Sequence, residues 1–145
     1  MKKSLKLTAV LLAAASLPLV ALAAETPAQQ QAATAQAHAM MAENATTLKM
    51  AHTHLHHAIN CLVGPKGHGF DAAAADPCKG QGNGALPDSS SDAALHAKLE
   101  TALNQAQTGL KTTTLTTAHT DAAKVAATLQ DTGTPAKKAS GGYSW

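Results

Sequence analysis

An all-α fold follows from three observations on the sequence. Phe, Tyr and Trp occur once each, and alanine dominates the apolar residues. A sheet wants β-branched and aromatic side chains, whereas alanine has the highest helix propensity and lets helices pack closely. Apolar residues recur at helical spacing in two stretches that flank a segment dense in Gly and Pro. Those two stretches also resemble one another at an offset of 67 residues. The predicted architecture is an up-and-down four-helix bundle built from two helical hairpins. The alternative is one long antiparallel helical hairpin that dimerises to cover its apolar stripe.

The first element is a leader over residues 1–23. Lys2, Lys3 and Lys6 precede an apolar run that ends Ala21-Leu22-Ala23, the small-x-small pattern cut by a signal peptidase, here before Ala24. A retained membrane helix would want about 20 strongly apolar residues. Pro18 interrupts this run and Glu25-Thr26-Pro27 follows it. The first cysteine is Cys61, so no mature N-terminal cysteine carries a lipid anchor. The expectation is export to the periplasm with no stable membrane anchoring. Without the leader, eight lysines face nine acidic residues for a net charge of −1, which does not suggest nucleic acid as a partner.

The helical domain is expected over 24–130, after a Gln/Ala-rich lead-in, with helices near 30–43, 46–62, 92–107 and 112–130. Glu43-Asn44 and Thr108-Gly109 supply the turn signals inside each hairpin. Between the hairpins, Gly64-Pro65, Asp76-Pro77, Gly80, Gly82, Gly84, Pro87 and three serines predict a loop over 63–91. Cys61 and Cys78 are most simply one disulfide that ties this loop, worth roughly 3 kcal/mol by loop-closure entropy. Ser91 or Asp92 is the expected N-cap of the third helix. Residues 131–145 are expected to form a flexible tail.

The repeat places histidines inside the apolar stripes. Thr46-Thr47-Leu48, Ala51-His52-Thr53 and Leu62 recur as Thr113-Thr114-Leu115, Ala118-His119-Thr120 and Leu129, seven identities in seventeen positions. In the second helix Leu48, His52, Leu55, Ile59 and Leu62 step by four and three, and Leu115, His119, Ala122, Ala126 and Leu129 do the same in the fourth. His52 and His56, at i and i+4, can grip one metal ion from a single helix. His57 lies beside them, and His119 occupies the equivalent place in the other half. His38 and Met41 sit at helical spacing on the expected inner stripe of the first helix. His54 is expected to point away into solvent, and His68 and His96 show no partner in sequence. Imidazole suits copper, nickel and zinc, and thioether sulfur adds a bias toward copper(I).

The Ala-His pair on a Leu/Ala stripe, Leu48-x-x-Ala51-His52 and Leu115-x-x-Ala118-His119, resembles the small His-rich periplasmic metal-binding proteins. The resemblance covers about 41–62 and 95–129. It implies an exported helical bundle that scavenges, buffers or delivers a divalent metal, copper first and then nickel or zinc. The expected ligands are His52, His56 and His119, with His38, His57 and Met41 in support. Metal ions are then the main partner, beside a homodimer mate or another periplasmic protein. Two other functions are compatible with the sequence. One is an interaction module that presents the Cys61–Cys78 loop. The other is a b-type haem bundle with Met41 and His119 as axial pair, for which pocket-lining aromatic residues are scarce. No nucleophile elbow, HExxH or phosphate-binding glycine loop is present, so no enzymatic activity is expected.

Overall fold

The computed structural model describes residues 24–130 and Thr132. The expected leader and the rest of the expected tail lie outside the described residues. Among those described the fold is all-helical: α1 (Pro27–Glu43), α2 (Leu48–Val63), α3 (Ala85–Asp88), α4 (Ala93–Leu110) and α5 (Leu115–Gln130). Helix α1 packs on α2 and α5, α4 packs on α5 and α2, and α2 also touches α5. No described helix is long and apolar enough to cross a membrane.

Each of the four long helices begins where a side chain can satisfy a free amide. Thr26 accepts from the Gln29 amide while the Gln29 side chain accepts from the Thr26 amide, a reciprocal cap with Pro27 at the first helical position. This cap starts α1 three residues ahead of its expected position, inside what reads in sequence as lead-in. Asp92 caps α4 through the Leu95 amide. The two repeat copies fall on equivalent caps, with Thr47 accepting from the Met50 amide and Thr114 from the Thr117 amide.

The offset of 67 extends through both hairpins. Shifted by it, Pro27–Glu43 falls on 94–110 and Leu48–Val63 on 115–130, within one residue of α4 and α5. The buried positions coincide as well. Ala28, Ala32, Ala35, Ala39 and Ala42 of α1 correspond to Leu95, Leu99, Ala102, Ala106 and Gly109 of α4. Ala51, Leu55, Ala58, Ile59 and Leu62 of α2 correspond to Ala118, Ala122, Val125, Ala126 and Leu129 of α5. At the turn end Ala45, Ala51 and Ala118 form a small cluster covered by Leu48 and Leu115, which joins the two copies.

Gly109 is a packing residue. It lies within α4, where sequence reads it as a break, because a Cβ there would stand 2.8 Å from Leu55 Cδ1 and 3.3 Å from Asp121 Cβ. Its hydrogen atom is what lets α4 close on α2.

The segment between α2 and α4 is more ordered than its glycines suggest. The Cys61–Cys78 disulfide is present, with Cα atoms 5.2 Å apart. Fully buried Asn60 donates to the Asp71 and Ala75 carbonyls at 3.0 and 3.1 Å and accepts from the Asp71 amide at 2.8 Å. The short helix α3 sits inside the expected loop. Buried Gln31 of α1 holds it by donating to Asp88 Oδ2 at 2.7 Å and accepting from the Gly84 amide at 2.8 Å. Gly84, at φ 118°, adopts a backbone that favours glycine and abuts the Val63 backbone. At the far end Thr132, expected in the tail, is buried and its hydroxyl donates to the Leu129 carbonyl at 2.9 Å.

Candidate metal centre

The seam between α1 and α2 gathers three imidazoles. His38 belongs to the buried alanine face of α1, next to Ala35, Ala39 and Ala42. His54 and His57 are three residues apart on α2, which brings both side chains onto the face turned to α1. His38 Nδ1 lies 3.4 Å from His54 Nδ1. The His38 and His57 ring centroids are 4.9 Å apart, edge to face, and those of His54 and His57 are 5.7 Å apart. One ring nitrogen from each residue can be chosen so that all three lie within 4.8 Å of one another.

Electrostatics favour the neutral, ligating form. Burial, followed by repulsion from His57 and His54, pushes the His38 pKa down to about 4. Burial lowers that of His54. Burial, then His54 and His56, lowers that of His57. The Nδ1 of His57 is buried and makes no hydrogen bond. A buried nitrogen without a partner is costly, and a cation is one partner that offsets the cost.

The arrangement suits an ion bound by nitrogen. Two nitrogens on a tetrahedral metal, at bonds of about 2.0–2.1 Å, stand about 3.3 Å apart. The His38–His54 pair already has that spacing, and a ring nitrogen of His57 lies within 4.8 Å of both partners. Such a site could hold a transition metal through three imidazoles and leave a fourth position open.

The structure distributes the sequence candidates differently from expectation. His38 and His57 belong to the cluster, and His54, expected to face solvent, is its third member. His56 turns instead to the bridged loop, with Nδ1 3.4 Å from Asp71 Oδ2. His119 donates from Nε2 to the Ala45 carbonyl at 2.8 Å, across the small cluster that joins the two halves. His52 has its Nε2 buried without a hydrogen-bond partner and lies outside the triad. Met41 is half-buried on α1, while Met40 and Met50 are exposed. His68 is exposed on the loop. His96 pairs with the Ser89 hydroxyl at 2.9 Å and lies 3.6 Å from Glu100.

The sequence carries a signal for His54. A helix packed between two neighbours buries two faces, and the 4,3,4,3 stripe through His52 describes only one. The positions 54, 57, 58 and 61 form the other, and Cys61, tied by its disulfide, marks that face as interior.

The duplicated half lacks this chemistry. At the 67-residue offset His38, His54 and His57 correspond to Gln105, Asp121 and Lys124. Lys124 Nζ donates to Asp121 Oδ1 at 2.8 Å, and the Gln105 side chain accepts from Thr128. Asp121 and Lys124 are thus engaged with each other, and Gln105 with Thr128.

Searches of protein families, of curated proteins and of solved structures find no match to this chain.

Proposed function

We propose that this is a periplasmic transition-metal-binding protein that holds one ion between α1 and α2 through His38, His54 and His57. Its role is scavenging, buffering or delivery of copper, nickel or zinc, with no catalytic activity of its own. The observation that carries the reading is the convergence of three imidazoles from two helices within ligand distance, one of them with a buried, unpartnered Nδ1. The Cys61–Cys78 bond supports an oxidising compartment, and the n-region lysines and Ala21-Leu22-Ala23 support export by a cleaved leader. The helix pairing supports an up-and-down four-helix bundle, with α1–α2 and α4–α5 as its hairpins. The likeness to small His-rich periplasmic metal-binding proteins then lies in the use of helix-borne imidazoles, with the ligand set moved from His52, His56 and His119 to the triad.

The test is calorimetric titration of copper(II), nickel and zinc into metal-stripped protein beginning at Ala24. The expected result is one ion per chain. Binding should be lost in a His38→Ala/His57→Ala variant and kept in His52→Ala/His56→Ala. Affinity no tighter than about millimolar, worth only about 4 kcal/mol, would sink the proposal. A loop-presenting module would then be favoured, since Asn60 and the disulfide hold the bridged loop in one conformation.

A further inference from the structure

We infer that Met41 completes the imidazole triad as a thioether donor, so that the preferred cargo of the site is the cuprous ion. This rests on the metal-binding reading above and names the ion class for it.

Met41 lies three residues after His38, on the same side of α1 and one turn toward the connection at residues 44–47. Helical side chains lean toward the N-terminus of their own helix, so Met41 leans back over the turn that carries His38. It is half-buried, whereas adjacent Met40 is 42% exposed.

The duplicated half gives a parallel for this position. The counterpart of Met41 is Thr108. Thr108 lines one open cavity of about 340 Å³ together with Gln105, Asp121 and Lys124, the counterparts of His38, His54 and His57. The two hairpins share element boundaries and buried positions. The α1–α2 seam therefore brings Met41 to the same groove as the triad.

All four positions differ together between the halves: three imidazoles and a thioether in one, an amide, a carboxylate, an ammonium and a hydroxyl in the other. A thioether is a poor fourth ligand for zinc or nickel, which take nitrogen, carboxylate or water there, but it is a good donor to copper(I). Copper(I) is also bound by imidazole, so the ion can pass between sulfur and nitrogen with no change of oxidation state.

The test compares wild type with Met41→Leu, a swap of similar volume that the partly exposed site tolerates. Copper(I) affinity is measured by competition with a chromophoric chelator under reductant-free anaerobic conditions, silver(I) serves as redox-inert probe, and zinc is the control. The variant should lose at least about tenfold in copper(I) and silver(I) affinity, the scale of loss seen when a supporting group around a metal is removed. Its zinc affinity should be unchanged. In the wild type, silver(I) should shift the Met41 ε-methyl resonance. Equal copper(I) affinity in the two proteins, or a Met41 methyl unmoved at saturation, overturns the inference. If zinc binding depends on His38 while copper(I) ignores Met41, only this inference falls. If no metal binds the wild type, the metal-binding reading falls with it.

Discussion

His38 of α1 and His54 of α2 face each other across the seam with their Nδ1 atoms 3.4 Å apart. One nitrogen must donate and the other accept, so the contact requires that at least one ring be unprotonated at Nδ1. Protonating both rings puts two imidazolium groups edge to edge in a partly dry seam, and the first prediction follows from that.

Stability should fall as pH drops from about 6.5 to about 4. The folded-state pKa of His38 is about 4 against 6.5 for the free side chain, so the folded protein binds fewer protons in this window and protonation draws the chain toward the unfolded state. The stability from keeping His38 neutral is fully present above 6.5 and lost progressively down to its folded pKa. His54 and His57 are also shifted down and add in the same direction. Asp88 is shifted down as well. Burial alone would raise it, but hydrogen bonds from the Asn83 amide, the Asn83 side chain and Gln31 outweigh that, which adds a further loss below its ordinary 3.8. Urea midpoints of metal-free protein from pH 7 to 3 check this. A midpoint flat from 7 to 4.5 would contradict it, and His38→Gln should flatten the upper part of the curve.

Asn60→Ala should destabilise the fold by about 2–3 kcal/mol, because it leaves the Asp71 amide and two loop carbonyls without their buried partner. The same variant should expose the bridged loop to proteases while the disulfide stays intact. Urea unfolding and limited proteolysis followed by non-reducing electrophoresis read the two effects separately.

Much of this was legible in the residues. Alanine-rich periodicity indicates helices, Cys61 and Cys78 indicate the disulfide, and the Thr-Thr-Leu repeat lies on two equivalent caps. The triad was only half legible. A single stripe through Leu48, His52 and Leu62 identifies the α2 face turned to the other hairpin, whereas His54 and His57 belong to the face turned to α1. Which of two interior faces a residue joins is set by three-dimensional packing, and periodicity alone does not distinguish them. Gly109 reads as a helix stop for a related reason. Its local propensity is poor, and only the Leu55 side chain across the interface explains its place in α4.

Gly109→Ala tests that explanation. Helix propensity alone predicts a gain of about 1 kcal/mol. The added methyl would press on Leu55 Cδ1, and overpacking of this kind costs about 1–3 kcal/mol. The expected outcome is a lower melting temperature, partly restored when Leu55→Val is added. A variant more stable than wild type would show that the α2–α4 interface gives way easily.

The duplicated half offers a gain-of-function experiment. Gln105→His, Asp121→His and Lys124→His together place imidazoles at the three positions equivalent to the triad. The triple variant should bind a second zinc ion, seen as a second equivalent in calorimetric titration. Stoichiometry that stays at one would mean that the α4–α5 seam differs from α1–α2 in more than its side chains.

The apolar core residues of α1 are all alanine, which carries one more consequence. Each methylene taken from water contributes about 0.8 kcal/mol, and a helix that buries methyl groups where its duplicate α4 buries Leu95 and Leu99 is held less firmly. Without a bound ion, α1 is then the segment whose amides should exchange with solvent through the lowest-energy opening, while α2 and α5 open only with the whole chain. An ion that joins His38 to His54 and His57 would close that route, so that occupancy of the site is written into the exchange rate of a single helix.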